Sequence, residues 1–333
     1  MSMMSSNVLD HIGNTPLIKL KYPSEITGCE IYGKAEFMNP GGSVKDRTAL
    51  GIILDAEEKG LLEPNGQIIE SSFGNTAIGL ALVANAKGYK LKIVMPNITV
   101  PSKRDIIRNM GAELLLVDAK PYSDPGNYQR VAERLAKEEN KKGNKVFWAS
   151  QFENLANYKF HEKTTAKEIF DQTDGLVDAF TCAIGTGGTL SGVGNGLKNL
   201  KSNVKIACTD SQGSSMFKYF TEGILEKKGN ESITEGIGQA RVTKNLENCN
   251  VDMSYYVDDK ECMEILFKLI KNEGLFLGLS SGVNVMGAIK MAREMGPGKK
   301  IVTILCDDAN KYFDKMFNKE FLLSKGLPIP DWI

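Results

Sequence analysis

The sequence predicts an α/β protein built from two three-layer α/β/α lobes with mostly parallel sheets. Its 333 residues suit two domains at about 150 residues each. Strand-like and helix-like segments alternate in two separate stretches of the chain. The composition, 42% hydrophobic and 25% charged, is that of an ordinary globular protein. Ligands of such folds usually lie in a cleft, so we expect the functional site between the lobes.

The first alternating stretch, residues 67–117, indicates three strands joined by two helices. The Ala- and Leu-rich residues 77–86 predict one helix, and Pro101 opens the other, where its missing N–H costs nothing. Crossovers of this length join parallel strands, so the stretch predicts a parallel sheet. The predicted strands are 67–70, 91–95 and 114–117, and the predicted helices are 77–86 and 101–110.

The second stretch begins near residue 179 and repeats the alternation. Met263, Leu266, Phe267 and Ile270 have the spacing of an amphipathic helix. The two lobes are therefore expected at 1–153 and 154–333, with the packing of residues 1–35 left open between them. The other predicted elements are strands 179–184, 204–208 and 300–305 and a helix at 189–200.

Charge and composition exclude several classes of protein. Lys+Arg and Asp+Glu are 41 each, so no basic field for nucleic acid is expected. No apolar run approaches the ~18 residues of a membrane helix, and residues 1–6 do not look like a secretory signal. The six cysteines form no CxxC pair, and with two histidines the chain lacks a multi-histidine metal site. We expect a reduced, cytoplasmic, metal-free protein, with His161 in a polar, surface-like helix start and structural.

The segment Asn39–Arg47, NPGGSVKDR, is a sharp turn before an apparent helix. Lys45 would lie in the first helical turn, where the positive helix end disfavours a charged ammonium. A lysine that forms a Schiff base must lose that proton. The alternative, an exposed first-turn lysine, stays open from this segment alone.

The segment Gly185–Thr189, GTGGT, follows an apolar strand and precedes a helix. Its glycines let backbone N–H groups close around an anion, and the helix N-terminus adds positive potential. It is not a dinucleotide fingerprint, because Leu190 stands where GxGxxG needs glycine. A phosphate-binding turn and a plain strand-to-helix turn both remain possible.

Two further segments follow strands in the same way. In Ser71–Thr76, the default role of Asn75 and Thr76 is to cap the next helix. The segment Gly278–Gly282, GLSSG, reads as a turn with a helix cap.

Together, in this order and spacing, these segments resemble the cysteine synthase and cystathionine β-synthase family. The resemblance also covers IGNTPL from Ile12, QFEN from Gln151 and EGIG from Glu235. Members of that family use pyridoxal 5′-phosphate (PLP) and have the tryptophan synthase β-like fold (fold type II). The haem-binding and C-terminal regulatory extensions of some members have no counterpart.

The resemblance implies a role for each matching position. Lys45 corresponds to the lysine that binds PLP as a Schiff base and acts as the catalytic base. Asn75 corresponds to the residue at the PLP 3′-oxygen, and Ser280 to the serine at the pyridine nitrogen. The PLP phosphate would be bound by Gly185, Thr186, Gly187, Gly188 and Thr189. The substrate carboxylate would be bound by Ser72, Thr76 and Gln151.

Two positions concern substrate choice. Phe73 stands where the family usually has Ser or Ala, in the loop at the substrate carboxylate. Glu235 would project a carboxylate towards the substrate β-carbon, or would only cap a loop. Phe73 and Glu235 are therefore counted with the substrate-binding residues.

The resemblance implies β-replacement through an aminoacrylate, making L-cysteine from O-acetylserine or O-phosphoserine and sulfide. The alternative is β-elimination or replacement on L-cysteine or L-serine, which releases hydrogen sulfide or forms lanthionine or cystathionine. A non-catalytic sensor homologue is the third reading, against which the intact Lys45 and GTGGT argue. A homodimer and partnership with a serine acetyltransferase are implied by resemblance only.

Overall fold

The structure, a computed structural model, describes residues 5–333 and, for Ser102, the backbone only. Residues 1–4, which enter the expectation of no secretory signal, lie outside this range. The described strands are β1 (Leu17–Lys19), β2 (Glu30–Ala35), β3 (Gln67–Ser71), β4 (Lys90–Pro96), β5 (Glu113–Val117), β6 (Val146–Trp148), β7 (Ala179–Ala183), β8 (Lys205–Ser211), β9 (Met253–Val257) and β10 (Lys300–Leu305). The described α-helices are α1 (Lys21–Thr27), α2 (Lys45–Glu58), α3 (Asn75–Lys87), α4 (Pro101–Asn109), α5 (Tyr128–Lys141), α6 (Ala156–Lys163), α7 (Thr165–Gln172), α8 (Gly188–Leu200), α9 (Met216–Glu222), α10 (Asp259–Glu273), α11 (Leu279–Met295), α12 (Phe313–Met316) and α13 (Lys319–Ser324).

The described residues group into two compact units. One contains residues 5–13 and 39–160, and the other contains residues 14–38 and 161–333. Both are α/β units with mostly parallel sheets, which confirms the predicted fold class. The strands and helices predicted from the sequence are present, with bounds that differ by at most three residues. The predicted lobes 1–153 and 154–333 stay a prediction.

The first unit has a parallel sheet of order β5-β4-β3-β6. Side chains alternate between the two faces of a strand. Ile68 and Ile93 therefore pack with α2 and α3 in one core cluster, and Ile69 and Val94 pack with α5 in another. The sheet is the middle layer of three, and α3 begins directly after β3.

The second unit has a sheet of order β1-β2-β10-β7-β8-β9. Only β1 and β2 pair antiparallel within this sheet of the described residues; the other pairs are parallel. On one face Gly287 of α11 packs against Thr209, and on the other Gly194 of α8 packs against Ile206. Both α8 and α11 begin at the carboxyl end of the sheet, where ligands of parallel sheets bind. No helix among residues 5–333 is long and apolar enough to cross a membrane.

Candidate active site

Lys45 is the first residue of α2 in the first unit. Its backbone N–H donates to the Ser43 hydroxyl at 3.2 Å, and its side chain is partly buried. A Cβ at Gly79 of α3 would lie 2.9 Å from the Lys45 carbonyl oxygen. Because glycine occupies position 79, α3 packs directly on the backbone that carries the lysine.

The loop between β3 and α3 carries three of the predicted substrate or cofactor residues. Ser72 is buried, and its hydroxyl accepts the Gly74 N–H at 3.3 Å. Asn75 is the first helical residue, with Gly74 as the N-cap. The default interpretation of Asn75 and Thr76 as capping residues is therefore wrong: the cap lies one residue earlier, at a position without a side chain. Both side chains are left for other contacts.

Thr76 and Gln151 meet in the buried interior of the first unit. The Thr76 hydroxyl donates to Gln151 Oε1 at 2.7 Å, and Gln151 Nε2–H donates to the Ser71 carbonyl at 3.2 Å. Both ends of the Gln151 amide are thus held. The residues that the resemblance assigns to a substrate carboxylate lie close together here, on elements that β3 and β6 position side by side.

Glu70 belongs to this cluster, although sequence reasoning did not select it. Its carboxylate accepts hydrogen bonds from Ser71 and from the Gln151 N–H. Burial raises the pKa of Glu70 to about 7. A charged residue directly after Ile68 and Ile69 in a strand between two parallel neighbours was the available signal, because interior parallel strands are normally apolar on both faces.

Phe73 is partly buried and packs edge-to-face on Tyr128, with the ring centroids 5.6 Å apart. It also touches the core cluster beneath α3. The ring therefore anchors the loop 71–76 to the start of α5. A serine or alanine at position 73 would lack this anchor.

In the second unit, the turn 185–189 leads from β7 into α8. A Cβ at Gly185 would lie 2.2 Å from the Gly236 carbonyl oxygen, and one at Gly187 would lie 2.5 Å from Leu246. Gly187, the N-cap of α8, has a positive φ of 89° and no side chain to cap the helix. The Gly188 N–H donates to the Thr186 hydroxyl at 3.3 Å. The N–H groups of the first helical turn and the hydroxyls of Thr186 and Thr189 form a donor set suited to an anion.

His161 supports this turn. It is fully buried, which corrects the expectation of a surface helix start. Its Nδ1 lies 2.9 Å from the Thr165 hydroxyl and its Nε2 lies 3.4 Å from the Thr189 hydroxyl. The burial of His161 could not be predicted from its polar neighbours in sequence, because only one face of α6 is exposed and His161 lies on the other face.

Ser280 is the second residue of α11 and is 6% exposed. The helix is held at the end of β7, where the Asn284 side chain accepts the Ala183 N–H at 2.7 Å. Ser280 and the turn 185–189 therefore both lie at the carboxyl end of β7. The N-cap of α11 is Gly278. Because it has no side chain, the Asp307 carboxylate can approach closely: Oδ1 would lie 2.1 Å from a Cβ at this position.

Glu235 forms an ion pair with Lys315, at 2.7 Å between Oε1 and Nζ. Lys315 also donates to the Ile233 carbonyl at 3.0 Å. The carbonyl of the next residue, Gly236, packs directly against Gly185. The Gly238 N–H donates to the Ile184 carbonyl at 2.9 Å. Glu235 thus lies beside the turn, with its charge balanced by lysine.

Comparisons with known proteins identify the family of this chain. A family model described as "Pyridoxal-phosphate dependent enzyme" matches residues 8–307. The chain is 48% identical to Cysteine synthase 1 of Neurospora crassa over 321 residues, covering 95% of this chain and 84% of that protein.

Two solved structures are similar over nearly their whole length. One is an O-ureido-L-serine synthase, with TM-score 0.84, 32% identity and 98% of each chain covered. The other is a hydrogen sulfide-producing enzyme from Fusobacterium nucleatum, with TM-score 0.82, 34% identity, and 94% of this chain and 99% of that chain covered. The tryptophan synthase β-like fold that the sequence resemblance implied is confirmed. The chain therefore belongs to the family of pyridoxal-phosphate dependent enzymes, and its cofactor is PLP.

Proposed function

We propose that this enzyme is a cysteine synthase that forms L-cysteine from O-acetylserine or O-phosphoserine and sulfide. The observation that carries the proposal is the turn 185–189. Gly185 and Gly187 cannot take a side chain without a clash, and the turn ends at the N-terminus of α8, which favours an anion. The relative named Cysteine synthase 1 supports the choice of reaction.

The residues present fit PLP. We assign the phosphate to the N–H groups and hydroxyls of residues 185–189. Lys45 would bind the aldehyde carbon, Asn75 the 3′-oxygen and Ser280 the pyridine nitrogen. Bound PLP supplies an electron sink for bonds at the α-carbon of an amino acid.

The chain's own residues then bind the substrate and move its proton. The Thr76 hydroxyl and the Gln151 amide, already locked together at 2.7 Å, would bind the substrate carboxylate with Ser72. The Lys45 amine would take the proton from the substrate α-carbon as a general base. Phe73, fixed against Tyr128, would exclude water from this side of the substrate.

A second reaction on the same residues is β-elimination or replacement on L-cysteine or L-serine. The ion pair of Glu235 with Lys315 supports this second reaction as an alternative, because a charged pair beside the turn can select the incoming nucleophile. One similar solved structure is a hydrogen sulfide-producing enzyme. This alternative predicts sulfide as a product when cysteine is the only substrate.

The test is product analysis with the PLP-loaded protein. O-acetylserine with sulfide, O-phosphoserine with sulfide, and cysteine alone are offered separately. Cysteine from either activated serine supports the proposal, and sulfide from cysteine alone at a higher kcat/KM supports the second reaction. The absence of every product would favour a sensor. Lys45→Ala is the control, and we expect it to lose turnover with all three.

We further propose a cytoplasmic homodimer that is able to bind a serine acetyltransferase. These proposals rest on resemblance. Sedimentation equilibrium of the purified holoenzyme tests the dimer, and a monomer at micromolar concentration would contradict it. Co-purification with a serine acetyltransferase from the same organism tests the partner, and imaging of the tagged full chain tests the compartment.

A further inference from the structure

The Glu70 carboxyl is buried at a position where the stability of the fold does not require a charged group. Glu70 follows Ile68 on the α3 side of the sheet and has no exposed surface. Its register neighbour on β4 is Ile93, and α3 packs on this face with Ala77 and Leu80. Burying a carboxylate among apolar side chains costs free energy unless hydrogen bonds compensate. An apolar residue would fill this position at lower cost.

Hydrogen bonds from the uncharged groups of Ser71 and Gln151 compensate for the burial. Oε1 accepts the Ser71 N–H at 2.8 Å and the Ser71 hydroxyl at 3.1 Å. Oε2 accepts the Gln151 N–H at 3.2 Å. Apart from burial, the strongest influences on the pKa of Glu70 are these hydrogen bonds from Ser71 and Gln151.

The bond from the Gln151 N–H links the end of β3 to the loop after β6, beyond the last backbone pair of the two strands. The ladder between β3 and β6 ends with Ile69 and Trp148, and the Ala149 N–H adds one more bond to Ile69. Beyond that point the Glu70 carboxylate connects the last residues of β3 to the loop after β6. Ser150 takes a positive φ of 50°, which turns the Gln151 N–H towards the carboxylate.

We propose that Glu70 is a positioning residue for the substrate carboxylate, because it fixes Gln151 and Ser71, to which the Gln151 amide is bonded. The inference rests on the proposed function, in which Ser72, Thr76 and Gln151 bind that carboxylate. Glu70 does not touch the substrate. It acts through the backbone N–H of Gln151, and through Ser71, whose carbonyl accepts the Gln151 amide.

Protonation of Glu70 would weaken this connection. A carboxylate accepts at both oxygens, whereas a carboxylic acid carries a proton on one of them and meets mainly donors here. Since burial raises the pKa of Glu70 to about 7, its charge changes near neutral pH. Ser71, Gln151, Ile93 and the apolar side chains of α3, which lie at this carboxyl, do not titrate. Helix α2 packs on the same face, and the charged groups of its first turn are Lys45, Asp46 and Arg47.

The test compares PLP-loaded wild type, Glu70→Gln and Glu113→Gln. Glu113 lies on β5 of the same sheet, and its side chain is 64% exposed. In Glu70→Gln we expect KM for the amino-acid donor to rise about tenfold, the lower end for hydrogen bonds to a charged group, with kcat nearly unchanged. Glu113→Gln should match the wild type. Wild-type KM should rise as the pH falls from about 8 to about 6, and Glu70→Gln should lose that dependence.

Other measurements keep the inference falsifiable if Glu70→Gln does not fold. Ser71→Ala removes the hydrogen bond from the Ser71 hydroxyl to Glu70 and should raise KM by a few-fold. The wild-type pH profile needs no variant. An unchanged KM in Glu70→Gln with PLP bound, or a wild-type KM that is flat with pH, would overturn the role of Glu70 alone. A wild type that converts none of the three donors would overturn the proposed function and this inference together.

Discussion

The packing of Gly185 gives a quantitative prediction. In Gly185→Ala the new Cβ would lie 2.2 Å from the Gly236 carbonyl oxygen, far inside the van der Waals contact distance. That oxygen is backbone, so either the turn or the segment 235–238 must move. Overpacking of this kind costs about 1–3 kcal/mol. If the turn moves, the proposed phosphate donors lose their alignment, and the same energy corresponds to PLP binding roughly five- to hundredfold weaker.

The assay is a titration of apoprotein with PLP, followed by absorbance, beside thermal unfolding of the apoprotein. Gly223→Ala is the matched control. Gly223 has a φ of 74° with nothing within 4 Å of an added Cβ, so alanine there costs about 1 kcal/mol through backbone strain alone. We expect both variants to lose stability and only Gly185→Ala to lose PLP affinity. Wild-type PLP affinity in Gly185→Ala would refute the assignment of the turn to the phosphate.

Three further predictions concern charge and burial. His161→Leu should lower the free energy of unfolding by about 1–3 kcal/mol, because the buried Thr165 hydroxyl loses its partner, and chemical denaturation measures this. The raised pKa of Glu70 means that the folded state holds a proton which the unfolded state has lost between about pH 4.5 and pH 7. Stability should therefore fall as the pH rises through that window, by up to about 3 kcal/mol, and Glu70→Gln should flatten the slope in denaturation series. Lys315→Met removes one positive charge beside the Glu235 carboxylate, so kcat/KM for anionic sulfide should fall about threefold relative to an amine-bearing thiol, which steady-state kinetics measures.

Each of these has a contradicting result. Wild-type stability in His161→Leu would show that its hydrogen bonds contribute nothing. Parallel pH slopes for wild type and Glu70→Gln would place the titration elsewhere. An unchanged ratio between the two nucleophiles in Lys315→Met would place Glu235 away from the nucleophile.

The run β3 to β5 was predictable because each element has a local signal. The apolar stretch before Ser71, the alanine-rich α3 and Pro101 at the start of α4 all act within a few residues. The helix start at Asn75 was missed by two residues, since Gly74 caps it and glycine is a weaker signal than Asn or Thr. Family resemblance, and not periodicity, supplied the roles of Lys45 and Ser280.

Contacts between distant residues could not be predicted from local patterns. The short strands β1 and β2 have no strong alternation, and β2 is held by β10 at the other end of the sequence. The partners Glu235 and Lys315 have no spacing that links them, and the burial of His161 depends on Thr189 of another helix. The sequence does set Glu70 apart, as a charged residue directly after Ile68 and Ile69 in a predicted strand. Its partner Gln151, however, is brought to it only by the pairing of β3 with β6.

The pairing of β2 with β10 bears on how the chain is made. The first unit is complete once residue 160 has left the ribosome, so it can fold early in synthesis. The sheet of the second unit cannot, because β2 pairs with a strand that is translated nearly last. Until then β2 has an unsatisfied edge, which invites pairing with other nascent chains. Truncation before Lys300 should therefore yield aggregates, and chaperone dependence of the full chain should be concentrated late in translation.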